Sequence, residues 1–191
     1  VPIAEEGGLI GVLSDSILRD ACWKAAAWAR AGHRIKVAVN VSALQLHSDR
    51  FATGVLNTLS SAGLAPDLLE LEITESVAMS DPEVTGRIIQ PLREAGVRLA
   101  IDDFGCGHSN LAARSILPFD VLKIDQQFVR ALEKGGERAA AIIDMILALA
   151  RSLHLEVVAE GVERRAEADF MAARSCHWAQ GFLYGAAVSA A

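Results

Sequence analysis

Apolar residues recurring at three- and four-residue steps alternate along this chain with short, nearly unbroken apolar runs, the pattern of helices alternating with buried strands. From 14 to 31, Ile17, Leu18, Ala21, Ala25 and Trp28 fall near helical spacing, with Ser14 or Asp15 as N-cap and Gly32 as the stop. Residues 35–41 then read as a strand, 51–62 as an amphipathic helix ended by Gly63, and 68–73 as a second strand. Pro82 opens a helix over 82–95, Gly96 closes it, and 98–101 is the next strand. A short helix over 110–116 and a strand over 119–124 follow. The remaining pattern predicts a helix over 138–153, a strand over 155–159, a helix over 164–174 and a last strand over 178–182.

Strands separated by helices imply right-handed crossovers and a parallel sheet, either a doubly wound open sheet or a (β/α)8 barrel. A barrel needs eight strands and the pattern supplies six; an open sheet usually has a phosphate loop after its first strand, and none is present. Periodicity leaves both open. In either, ligands collect at the C-terminal ends of the strands.

Those ends carry the chemistry. In order they present Asn40, Glu72 with Glu75, Asp102 with Asp103, Lys123 with Asp125, Glu160 and Gln180. One such residue is an ordinary helix cap or surface charge; a polar group at all six ends describes a site. Adjacent carboxylates where an apolar strand runs into a glycine-rich loop are costly to desolvate unless cations share the space. Carboxylates, an amide oxygen and an ammonium make a hard, oxygen-rich set suited to Mg²⁺ or Mn²⁺ rather than zinc. Such a set can hold two ions for in-line phosphoryl displacement, with a lysine orienting the attacking water. His33, His47, His154 and His177 lie away from these ends and read as surface or packing residues, while His108 falls in the loop after Asp103.

Composition narrows the partners. The 191 residues are 52% hydrophobic and 22% charged, which describes one globular domain. A net charge of −6 argues against a nucleic-acid polymer or an anionic membrane as partner. Three separated cysteines, Cys22, Cys106 and Cys176, read as free thiols of a reducing compartment. No run reaches the ~18 apolar residues of a membrane span, so a cytoplasmic domain is expected, free or as the cytoplasmic part of an anchored protein. The start at Val1-Pro2-Ile3 is read as that of a piece of a longer polypeptide.

At this point the motifs become specific. They are 3–10 (IAEEGGLI), Asn40-Val41-Ser42-Ala43, 70–76 (ELEITES), 102–109 (DDFGCGHS), Leu122-Lys123-Ile124-Asp125, 158–163 (VAEGVE) and Gln180-Gly181-Phe182. In this order they resemble the EAL domain family, bacterial phosphodiesterases that open cyclic di-GMP. The resemblance implies a (β/α)8 TIM-type barrel with one antiparallel strand, 1–191 being a single domain that lacks roughly the first two strands. It implies Asn40, Glu72, Asp102 and Asp103 as ligands of Mg²⁺ or Mn²⁺, two ions in all. Lys123 would position the hydrolytic water, Glu160 complete the metal and water network, and Glu75 steady the loop from Phe104 to Ser109. Gln180 and Glu163 would lie on the substrate side. The implied reaction is hydrolysis of cyclic di-GMP to linear pGpG, by a homodimer fused to an upstream sensor or diguanylate cyclase domain. The Glu-Ala-Leu segment that names the family, and its metal-ligating glutamate, are absent; Cys106 and His108 replace the usual Thr and Tyr. An inactive receptor that only binds the dinucleotide is the alternative, and an enolase-type lyase a third that the motif order disfavours.

Overall fold

The computed structural model describes residues 10–106, 117–134 and 136–189. The chain divides into two compact units, one of residues 10–99 with 117–118, the other of residues 100–106 with 119–189. The helix expected over 110–116, His108 and the loop beyond Cys106 lie outside the described residues, as does the motif at 3–9.

In the first unit, helix α1 runs Ile10–Arg30. It begins earlier than expected, and Ser14 is not its cap. Ile10, Ser14, Leu18 and Cys22 form one buried stripe at four-residue steps, so Ser14 sits inside the helix at 8% exposure. Strand β1 (Val37–Asn40) pairs in parallel with β2 (Leu69–Thr74), in register from Val37 opposite Leu69 to Asn40 opposite Glu72. Between them come α2 (Ala43–Leu46) and α3 (Phe51–Ala62), the latter ended by Gly63 at φ 66°. The short α2 was not expected; Ser42 starts it, donating from its N–H and hydroxyl to Gln45 Oε1 at 3.0 and 3.1 Å.

Helix α4 (Glu75–Ser80) follows β2 directly, and α5 (Pro82–Glu94) begins where Asp81 accepts the Val84 N–H at 3.0 Å. Leu69, Leu71, Ile73, Ile89, Leu92 and Leu99 are fully buried, so the core lies where strand residues meet the inner faces of helices.

In the second unit, β3 (Arg98–Phe104, its first two residues counted with the first unit), β4 (Val121–Ile124), β5 (Glu156–Ala159) and β6 (Trp178–Ala179) lie side by side in chain order, each pair parallel. Helices α6 (Gln126–Ala131), α7 (Glu137–Ser152) and α8 (Arg165–Ala172) alternate with them. Every residue of β4 is buried, as a strand covered on both faces must be. Strand β6 is shorter than expected because the chain turns at Gly181, φ 154°. The three cysteines are free; Cys22 is fully buried, which pushes its thiol up to about 11.

Candidate functional site

The two adjacent aspartates do not close β3; the strand continues through them to Phe104. Ile101 stands opposite Leu122 and Phe104 opposite Ile124, so two residues of β3, Asp102 and Asp103, face the single Lys123 of β4. This is a β-bulge, which bends a strand and re-aims its side chains. Asp103 takes φ 53°, a left-handed conformation that Asp tolerates better than most side chains, and its N–H donates to Asp102 Oδ1 at 3.0 Å. The extra residue thus presents both carboxylates beside one lysine.

Lys123 is only 4% exposed. Its Nζ lies 2.6 Å from Glu160 Oε1 and 3.4 Å from Asp102 Oδ1, joining the ends of β3, β4 and β5. A buried ammonium is tolerable only when paired in this way. Glu160 Oε1 also accepts from Gln180 Nε2 at 2.8 Å, so one carboxylate oxygen collects the lysine and the amide beyond β6. The backbone supports the arrangement: the Glu160 N–H donates to Ile124 O and the Gln180 N–H to Ala159 O. A recess of about 300 Å³ opens beside Glu160, walled by Gln126, Gly161, Gln180, Gly181 and Phe182.

Carboxylate oxygens of Asp102, Asp103 and Glu160 all come within 4.8 Å of one another. The Asp103 carboxyl is raised to about 6, first by loss of surrounding water, then by its hydrogen bond to Asp125 and the charges of Asp102 and Asp125; Lys123 pulls the other way. The residue as a whole is exposed, so the crowding is on its inner side. Three hard oxygen donors at this spacing fit a divalent cation, whose charge would offset that crowding.

The other expected residues are placed as follows. Asn40 ends β1 beside Glu72, and the Val41 N–H donates to Glu72 O at 2.8 Å. Glu72 is 8% exposed, and Glu75, in the first turn of α4, 2%. All three belong to the first unit. Glu163 forms an ion pair, its Oε1 accepting from Arg130 Nη2 at 3.0 Å. His177 Nδ1 accepts from the Val157 N–H at 3.1 Å and His47 Nδ1 meets Ala43 O at 2.7 Å, both packing roles.

The sequence placed Asp125 among the strand-end residues without a separate role, and gave Gln127 none. Asp125 hydrogen-bonds Asp103 and caps α6 through the Gln127 N–H at 2.6 Å, while Gln127 Nε2 donates to Cys106 Sγ at 2.7 Å. The spacing Lys-x-Asp at a strand end was the available sign: alternation turns residues 123 and 125 to one side before the chain enters the helix.

The family model described as EAL domain matches residues 1–187. The bifunctional diguanylate cyclase/cyclic di-GMP phosphodiesterase MucR of Pseudomonas aeruginosa is 41% identical over 97% of this chain, which covers 27% of MucR. The cyclic di-GMP phosphodiesterase NbdA of the same organism is 41% identical over 96% of the chain, which covers 24% of NbdA. The chain therefore spans about a quarter of the length of these relatives. Among solved structures, a MucR phosphodiesterase in complex with c-di-GMP aligns at TM-score 0.93 and 41% identity, over 97% of this chain and 75% of that one. The EAL domain of Mycobacterium smegmatis DcpA aligns at 0.85 and 38%, over 93% and 80%. The fold is that of these domains, part of the (β/α)8-type barrel expected from the motifs. By model, relatives and fold alike, the chain belongs to the EAL domain family.

Proposed function

We propose that this chain is the phosphodiesterase domain of a cyclic di-GMP signalling protein, hydrolysing one phosphodiester bond to give linear pGpG with Mg²⁺ or Mn²⁺. The observation that carries the reading is Lys123, buried at 4% exposure between Asp102 and Glu160 with Asp103 alongside. Asp102, Asp103 and Glu160 would hold the cation in the second unit; the motifs add Asn40 and Glu72 as ligands and Glu75 as the support of the loop after Phe104. Bound divalent ions supply Lewis-acid charge against the phosphoryl oxygens.

The protein's own groups do the rest. Lys123, pinned by two carboxylates, donates a hydrogen bond that aims the attacking water, an entropic saving that counts only because the ammonium does not move. The water oxygen bonds to phosphorus and gives up a proton, the bond to the 3′ oxygen breaks, and that oxygen takes up a proton, so one water is consumed and a 5′-phosphate end and a 3′ hydroxyl are left. Glu160 holds Lys123 and Gln180 through one oxygen, so it couples the water position to the recess wall that Gln180 and Phe182 form on the substrate side.

Among the described residues no helix is long and apolar enough to cross a membrane. The greater length of the relatives supports a fused upstream sensor or cyclase domain, and family resemblance a homodimer. The test is chromatography of cyclic di-GMP incubated with the full-length protein and Mn²⁺. The reading expects pGpG, absent when chelator is added. Tight binding without product would favour the receptor reading, and neither binding nor product would end both.

A further inference from the structure

The loop after β5 carries Glu160, and the structure fastens it at its far end. Arg130 of α6 pairs with Glu163 at 3.0 Å, and Glu133, in the 3₁₀ turn Leu132–Lys134 that follows, pairs with Arg164. Each segment contributes one cation and one anion, in opposite order. The loop backbone is fixed independently, because the N–H groups of Glu163 and Arg164 both donate to Glu167 Oε2, at 2.9 and 3.0 Å, and Glu167 is 6% exposed. Nearer the site, Gly161 lies so close to α6 that a Cβ there would stand 2.5 Å from Gln126 Cβ. Helix α6 begins three residues after Lys123.

We propose that the crossed pairs Arg130–Glu163 and Glu133–Arg164 are a positioning device, setting the distance between Glu160 and Lys123 by tying the loop after β5 to the helix after β4. The proposal rests on Lys123 and Glu160 being at the reaction centre. All four side chains are 42–55% exposed, so each pair adds little to stability. What the crossed order provides is direction. Sliding the loop one way along the helix brings Glu163 towards Glu133, and the other way Arg164 towards Arg130, so displacement in either direction is opposed by repulsion as well as by lost attraction. Both effects are screened by salt because the pairs are in water.

The test uses the full-length protein and three readouts: kcat and KM for cyclic di-GMP, Mn²⁺ affinity by electron paramagnetic resonance, and the urea midpoint. For Arg130→Ala with Arg164→Ala, kcat is expected to fall about five- to tenfold and Mn²⁺ binding to weaken about threefold, with KM and the urea midpoint nearly unchanged; ~1 kcal/mol of lost positioning corresponds to about fivefold. Exchanging both pairs at once (Arg130→Glu, Glu163→Arg, Glu133→Arg and Arg164→Glu) keeps the opposite order of charges and should retain most of the activity that the alanine variant loses, and high salt should narrow the gap between the unaltered protein and the alanine variant. Unchanged kcat and Mn²⁺ affinity in the alanine variant would overturn the proposal. So would a loss that tracks the urea midpoint and is not recovered by the exchange, since that is a structural effect. If the unaltered protein neither binds Mn²⁺ nor turns over, the functional reading itself fails and the positioning role with it.

Discussion

Two charged groups stand at the two ends of the loop 160–164, and they differ in burial and in balance. At one end Lys123, Asp102 and Glu160 have side chains 4%, 12% and 17% exposed, and Lys123 brings a single positive charge to the carboxylates of Asp102, Asp103 and Glu160. At the other, Arg130, Glu163, Arg164 and Glu133 are 42–55% exposed, two cations facing two anions. Water makes the second group inexpensive to hold and weak in effect. Burial makes the first group costly, and its surplus of carboxylate is what a divalent cation would neutralise. Charge that ties segments together is left balanced and wet; charge at the proposed reaction centre is concentrated and largely buried.

Asp102→Asn attacks the dry group and carries the largest expected effect: cyclic di-GMP turnover should fall by about a thousandfold or more, read as steady-state kcat. Full turnover in this variant would refute a metal role for the bulge. Gly181→Ala acts on the backbone between the groups, since a Cβ there would lie 2.2 Å from Val162 O at a φ of 154°. It should cost about 3 kcal/mol in urea unfolding and reduce turnover through Gln180; a neutral result would mean that the loops 160–164 and 180–185 are not held against each other. Glu167→Ala removes the acceptor of two N–H groups, for a loss of about 1–2 kcal/mol in the same assay. Arg130→Ala alone should change stability by less than about 1 kcal/mol. A larger loss would show that the wet pairs are not merely positional.

The same contrast explains what the sequence made legible. Helix α3 matches its expected bounds because Val55, Leu59 and Ala62 keep helical spacing and Gly63 supplies a left-handed stop. Strands β2 and β5 were legible for a similar reason, as short apolar runs. The short helices α4 and α6 were missed because each starts at the first residue after a strand-end polar group, where apolar periodicity has too few residues to show. Asp102, Lys123, Glu160 and Gln180 were found as strand-end residues, and the structure joins them. Not legible was the bulge: alternation gives no sign that two residues of β3 will face one of β4, nor that Asp103 will adopt a positive φ. Glu163 was read as a substrate-side residue; its pairing with Arg130, 33 positions earlier, has no local signature.

The most direct test of the account replaces Lys123. In Lys123→Ala of the full-length protein, cyclic di-GMP binding by calorimetry and single-turnover cleavage are measured side by side with Mn²⁺ present. The account predicts that binding changes by less than about tenfold while cleavage slows by at least about a hundredfold, because the lysine aims water rather than holding the dinucleotide. Cleavage at the unaltered rate, or a loss confined to binding, would place the reaction centre elsewhere.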